Sequence, residues 1–217
     1  MTNPINLKEI ERKAFRSTYQ DGLWDIYYGL LVICMALFIR RPADGYSAWN
    51  VIMMVLSFSI CYGLFWAGKK YITIPRMGQV KFGAIRKKKT LTMGIILGVF
   101  VLIHVGLVAL TMFSWVNLEA SIKLSSLFGS LGSEGLVVAL IGSLILGTSM
   151  IVIAYFSDFT RGFYIAVLMA LAVFLMIYIN QPIYAILIGI LIILPGVVHL
   201  IRFLKAYPLH KEKQPNA

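Results

Sequence analysis

Two carboxylates stand four residues apart where the first long apolar stretch of the chain begins. Asp21 and Asp25, in "QDGLWDI", would lie on one side of a helix, because residues four apart share a helix face. A partly buried carboxylate needs a charged hydrogen-bonding partner. We therefore expect Asp25, and with it Asp21, to accept hydrogen bonds from Arg76 or Lys81. Two alternatives for Asp25 are a side chain that reaches the water boundary and a role in transporting protons or solutes.

The other ionisable residues offer little for catalysis. His104 is expected near the middle of the third apolar stretch, where a neutral core histidine is favoured over a proton relay. Asp158 and Arg161, three residues apart, are expected to form an ion pair with each other. The 3 histidines lie far apart in the chain and the acids lie near the edges of apolar stretches. Because bond cleavage needs an assembled nucleophile, acid and base, or a metal, we expect no enzyme, no metal and no cofactor.

The elements that must position these residues are apolar helices of membrane-spanning length. The 217-residue chain is 59% hydrophobic and 13% charged, with a mean hydropathy of +0.84, whereas soluble domains carry about 25% charged residues. A spanning helix needs roughly 20 mostly apolar residues. The expected fold is an all-α membrane protein, a six-helix transmembrane bundle over 22–204. Its expected spans are residues 22–39, 47–67, 91–113, 135–156, 162–180 and 183–204.

Three polar segments surround these predicted spans. Residues 1–21 form an amphipathic arm that is expected to lie as a helix on the membrane surface. Residues 205–217 form a polar tail that is expected to be disordered. In the basic loop 68–90, "YITI" and "QVKF" alternate with period two around "PRMG", which predicts a short cytoplasmic β-hairpin with Arg76 at its tip.

The positive charge is distributed unequally between the two sides of the predicted bundle. With six spans, only Arg40, Arg41 and Lys123 of the 20 Lys and Arg residues fall on the side opposite the termini. Positive residues that flank spans are retained on the cytoplasmic side. We therefore expect a multi-pass cell-membrane protein with both termini and the basic loop in the cytoplasm. An anionic inner leaflet attracts such residues by about 1 kcal/mol each near the surface.

The two segments already singled out also carry a resemblance. "QDGLWDI" (20–26) followed by "PRMGQVKF" (75–82) resembles an uncharacterised group of bacterial multi-pass integral membrane proteins, over 15 residues of the chain. The resemblance implies a prokaryotic inner membrane, and no activity is attached to that group.

The basic loop is the part of the chain that is expected to contact other molecules. Its candidate contacts to anionic lipid or a protein partner are Lys69, Lys70, Arg86, Lys87, Lys88 and Lys89. The expected function is a non-catalytic docking or regulatory membrane module, and the alternative is a transporter or channel for a neutral or lipid-like small solute. Nucleic acid is not expected, because membrane topology already accounts for the charge. No feature specifies an oligomeric state; Gly94 and Gly98 form a small-residue face, which is a common packing device.

Overall fold

The structure, a computed structural model, describes residues 18–38, 48–77, 84–116 and 134–208, and these residues contain helices and no strand. The helices are α1 (Leu23–Phe38), α2 (Ala48–Gly68), α3 (Ala84–Val116), α4 (Glu134–Phe156), α5 (Thr160–Ile179) and α6 (Pro182–Ala206). A π-helical turn, Lys69–Thr73, and a short helix, Ile74–Met77, continue α2 without a break.

Four helical stretches are long and apolar enough to cross a membrane. They are Ile52–Met77, Ala139–Phe156, Thr160–Ile179 and Pro182–Ala206, and Leu23–Leu37 is a shorter apolar helix. A helix overlaps each of the six predicted spans, although α3 begins at Ala84, before residue 91. The composition fits a membrane protein, and the crossing of all six helices stays a prediction.

Two short connections fix the order of the last three helices. Asn180 ends α5 in the left-handed conformation (φ 56°), and Pro182 begins α6 at a position where its missing N–H is not needed. The tight turn expected at "NQP" is therefore confirmed. Asp158, between α4 and α5, also has a positive φ of 51°, which Asp tolerates better than most residues.

The described core lies where α1, α4, α5 and α6 meet. Its closest helix pairs are α4 with α5 and α1 with α6, while α2 packs on α1 and α3 packs on α4. The buried cluster is apolar and uses small residues and methionines to bring the helices together. Its members include Tyr28, Val32, Ala36, Met150, Ile165, Ala166, Met169, Ala172, Met176, Ala185 and Ile192.

Glycines let α1 and α6 approach backbone to backbone. A Cβ added to Gly22 would overlap the Gly196 carbonyl oxygen, and one added to Gly29 would lie 2.7 Å from the Gly189 carbonyl oxygen. The residue number rises along α1 as that of its partner falls along α6, so the two helices are antiparallel. By contrast, a Cβ added to Gly94 or Gly98 of α3 would meet no described atom within 4 Å.

The outer faces of α2 and α3 are apolar and uncovered by the described residues. Leu91 and Leu102 of α3 are 66% and 71% exposed, and Leu64 of α2 is 61% exposed. A continuous apolar surface of this kind is unfavourable in water and is expected to face lipid or a partner.

The predicted β-hairpin is wrong in its first strand. "YITI" is helical, because residues 69–77 continue α2 as a π-helical turn and a short helix. Four alternating residues are a weak strand signal, and a helix that already has its hydrogen-bonding pattern propagates more easily than a new strand starts. All of "QVKF" (79–82) lies outside the described residues, as do the arm 1–17 and the tail 209–217.

Candidate functional site

The Asp21 carboxylate is buried and fully hydrogen-bonded at the start of α1. One oxygen accepts from Lys69 Nζ at 2.7 Å and from Thr73 Oγ1 at 2.6 Å, and the other accepts from the Leu23 N–H at 3.2 Å. Lys69 also donates to the Thr18 carbonyl oxygen. This set of contacts ties the start of α1 to the end of α2.

The π-helical turn Lys69–Thr73 is the element that presents both donors to Asp21. Lys69 and Thr73 are four residues apart, so they lie on neighbouring turns of the same side of the chain. The Lys69 ammonium also lies 5.9 Å from the centroids of the Trp24 and Phe65 rings, which are favourable positions for a cation. Single π-helical turns are rare and are often found at functional sites.

A second buried ion pair joins α1 to α5. Arg161 donates to one Asp25 carboxylate oxygen at 2.6 Å and to the Tyr19 carbonyl oxygen, and its guanidinium lies 5.6 Å from the Phe159 ring centroid. The Asp25 side chain is 0% exposed and the Arg161 side chain 23% exposed. The other Asp25 oxygen has no hydrogen-bond partner among the described residues. Among the described residues, Arg161 is therefore the one side chain that donates a hydrogen bond to this fully buried carboxylate.

A third carboxylate, Asp158, joins α3 to the turn between α4 and α5 through two ion pairs. The Asp158 carboxylate accepts from Arg86 at 2.8 Å and from Lys89 at 3.2 Å. Burial alone would raise the pKa of Asp158, but the hydrogen bonds and charges of Arg86 and Lys89 outweigh burial and hold this pKa below its ordinary value of 3.8. Asp158 therefore stays ionised at neutral pH.

The four ion pairs of these three carboxylates form one charged layer at one end of the described helices. Asp21, Asp25 and Asp158 each take a cation from a different helix or helix extension. We call these residues, with Lys69, Arg86, Lys89 and Arg161, the ion-pair layer. It joins α1 to α2, α1 to α5, and α3 to the α4–α5 turn.

The ion-pair layer divides the six cations predicted to contact lipid or a partner into two groups. We call these six residues, Lys69, Lys70 and Arg86 to Lys89, the basic cluster. Lys69 and Arg86 are mostly buried, Lys89 is 31% exposed, and all three are paired with carboxylates. Lys70, Lys87 and Lys88 are exposed and have no carboxylate partner among the described residues. The Lys70 ammonium instead lies 4.9 Å from the Trp66 ring centroid and 5.6 Å from that of Tyr71. All six cations were predicted to contact lipid or a partner, and burial separates them into paired and exposed groups.

Asp21 and Asp25 both have charged partners, but Arg76 is not one of them. Asp25 pairs with Arg161 and not with Arg76, whose guanidinium donates to the Ile72 carbonyl oxygen of its own helical turn at 2.9 Å. Lys81 lies outside the described residues. The reason is geometric, because Arg76 continues the α2 helix instead of standing at the tip of a hairpin.

The expected pair between Asp158 and Arg161 is also wrong. Arg161 lies in the first turn of α5 and points to α1, whereas Asp158 lies in the turn before α5 and accepts from α3. The i, i+3 spacing would place these two residues together only if both were on the same helix. The positive φ of Asp158 breaks that helix between them.

Sequence reasoning missed Thr73 and the role of Arg161. Thr73 carries no charge and looked like part of a strand. Arg161 gave a usable signal, because it is the only cation between residues 124 and 201. A lone cation at the end of a long apolar segment indicates a buried partner, although it does not identify which acid.

A small cavity opens beside the ion-pair layer. It has a volume of about 130 Å³ and is lined by Tyr19, Gln20, Asp158, Phe159, Thr160 and Arg161. Burial raises the pKa of Tyr19, against the lowering effect of its hydrogen bond with Ser157, so this phenol stays protonated at neutral pH.

The other proposed chemical groups can be placed only in part. No group of three or more His, Cys, Asp or Glu residues that could hold a metal occurs within the described ranges. His104 lies within α3, and its side chain is outside what the structure describes. Its neutral-core interpretation and its proton-relay alternative both stay predictions.

Searches against protein-family models, curated proteins and solved structures find no match to this chain.

Proposed function

We propose that the chain is a six-span integral membrane protein that acts as a non-catalytic docking or regulatory module, and that its basic end contacts anionic lipid at the cytoplasmic face. The observation that supports this proposal is the division of the basic cluster. The three carboxylates of the ion-pair layer are neutralised by buried or half-buried cations. Lys70, Lys87 and Lys88 are then left exposed at the same end, where they are available to bind another molecule.

The surroundings of these three lysines favour lipid over a soluble partner. Leu91 follows Lys87 by four residues and Lys88 by three, so its exposed apolar side chain continues the same helix face below the two ammonium groups. Lys70 lies beside Trp66 and Tyr71, which are 54% and 68% exposed. Aromatic residues of these types are enriched at membrane–water interfaces, and lysine stems lie well along apolar surface while their charge reaches the headgroups.

The size of the expected effect follows from the charges. An exposed Lys near an anionic leaflet gains about 1 kcal/mol, so three of them are expected to favour anionic over zwitterionic lipid by about 3 kcal/mol at low salt. This energy corresponds to roughly a 100-fold preference, because each 1.4 kcal/mol is a factor of ten. The preference should weaken as salt shortens the Debye length.

A matched pair of triple variants tests the proposal in reconstituted full-length protein. One variant replaces Lys70, Lys87 and Lys88 by Gln. The control replaces Arg40, Arg41 and Lys123 by Gln, which removes the same charge from the side that is predicted to face outward. Tryptophan quenching by brominated phosphatidylglycerol, in competition with phosphatidylcholine, measures the preference for the anionic headgroup.

We expect the first variant to lose most of the anionic preference and the control to keep it. Equal behaviour of the two variants would refute the proposed lipid site. A protein that copurifies stoichiometrically from native membranes, and is lost only in the first variant, would replace lipid by a protein partner. Labelling of a Lys88→Cys variant with an impermeant maleimide from the outside of intact cells would overturn the cytoplasmic orientation.

A further inference from the structure

Two thiols from neighbouring helices lie in contact. Cys34 of α1 and Cys61 of α2 are free, and their sulfur atoms are 3.4 Å apart. They are the chain's 2 cysteines, so within one molecule each thiol can form a disulfide only with the other. Cys61 is 6% exposed and Cys34 is half-buried.

The contact between the thiols is the far end of a packed seam between α1 and α2. At the charged end, Asp21 accepts from Lys69, and the Leu23 side chain fills the space beside Gly68. Further along, the Trp24 and Phe65 ring centroids are 4.5 Å apart.

Tyr27 continues the same seam, with its ring centroid 4.9 Å from that of Phe65. Cys34 lies seven residues after Tyr27, and Cys61 lies four residues before Phe65, so both thiols continue the contacting faces of their helices. Several contacts along the seam therefore hold the two sulfur atoms facing each other.

We propose that Cys34 and Cys61 are an oxidation site at which a small, neutral, membrane-permeant peroxide forms an intramolecular disulfide between α1 and α2. A disulfide has an S–S length of about 2.05 Å, so the sulfurs must approach by roughly 1.4 Å from their present contact. Cys34, the more accessible thiol, reacts first with the peroxide, and Cys61 is the thiol that then forms the disulfide with it.

The chemistry balances with one peroxide. The Cys34 sulfur is oxidised to a sulfenic acid, and the peroxide O–O bond breaks with release of one water. The Cys61 sulfur then attacks the sulfenic sulfur, the S–O bond breaks, and a second water leaves with the remaining thiol proton. Two thiols and one hydrogen peroxide therefore give one disulfide and two waters.

Full-length protein in phosphatidylcholine nanodiscs, treated with hydrogen peroxide, tests the proposal. After denaturation, a polyethylene-glycol maleimide counts the remaining thiols on a gel, and intact mass spectrometry records the product. We expect two additions before treatment and none after it, a mass loss of about 2 Da, and full recovery on reduction. Because the disulfide closes the 34–61 loop, the oxidised protein should also unfold roughly 5–15 °C higher.

Single variants supply the matched control. Cys34→Ser and Cys61→Ser each keep one thiol and should show no mass loss of this kind. Retention of two maleimide additions in peroxide-treated wild type would overturn the proposal. Added oxygen mass in place of the loss, or disulfide-linked dimers of the wild type, would overturn it equally, and these readings do not depend on whether the Ser variants fold.

Discussion

Removal of Arg161 should destabilise the protein more than removal of the charge on its partner, Asp25. Arg161→Met leaves a fully buried carboxylate with no hydrogen-bond partner on another described residue, because the other Asp25 oxygen already lacks one there. Breaking a buried pair from this side costs about 3–5 kcal/mol of the free energy of unfolding. Asp25→Asn leaves a guanidinium that is 23% exposed and still donates to the Tyr19 carbonyl oxygen. We expect that variant to cost about 1–3 kcal/mol.

The double variant measures the interaction between the two residues. When Asp25→Asn and Arg161→Met are combined, neither an unpaired buried carboxylate nor an unpaired guanidinium remains. The double variant should therefore be more stable than Arg161→Met alone, with a coupling energy of about 2 kcal/mol. The control is Arg202→Met, which removes an exposed arginine and should change the free energy of unfolding by no more than about 0.5 kcal/mol.

Equilibrium unfolding in mixed micelles, followed by tryptophan fluorescence, gives these free energies. Trp24 is a suitable reporter, because its ring stacks on Tyr19 and Tyr28 with centroids 5.2 Å and 5.7 Å away. Additive effects of the two substitutions, or an Arg161→Met cost no larger than that of Arg202→Met, would refute the assignment of a buried ion pair.

Two further predictions concern helix contact and pH. Gly29→Ala should destabilise the fold by about 1–3 kcal/mol, because its Cβ would lie 2.7 Å from the Gly189 carbonyl oxygen. Gly94→Ala is its control and should be neutral or stabilising by up to about 1 kcal/mol; equal thermal shifts would refute the close α1–α6 contact. The pKa of Asp158 is lowered in the fold, so the unfolded chain binds the proton more tightly and the stabilisation by Asp158 is lost as pH falls through the folded pKa. Asp158→Asn, which tolerates the same positive φ, should cost about 1–3 kcal/mol at neutral pH and reduce the acid dependence of unfolding; unchanged acid dependence would contradict this reasoning.

The sequence predicted the helices well because their signal is local. An apolar stretch of about 20 residues needs no knowledge of its neighbours to be identified, and each of the six stretches contains a helix. The signal for the turn before Pro182 was equally local, since a proline and a preceding polar dipeptide disfavour continuation of α5. The strand assigned to "YITI" failed because its four residues follow α2 directly, and the contact of Thr73 with Asp21 favours continued helix.

The sequence by itself determined that this chain forms apolar helices, that most of its cations lie in the polar segments beside the apolar stretches, and that Asp21 and Asp25 lie at the start of the first apolar stretch. Only the tertiary structure decided which cations neutralise which acids, since Arg161 is 136 residues from Asp25 and Lys69 is 48 from Asp21. It also decided that the glycines of α1 and α6, and not those of α3, form a close helix contact within the described residues. The physical reason is that apolarity acts residue by residue, whereas a salt bridge or a backbone contact depends on the relative positions of two helices, which the sequence of neither one specifies.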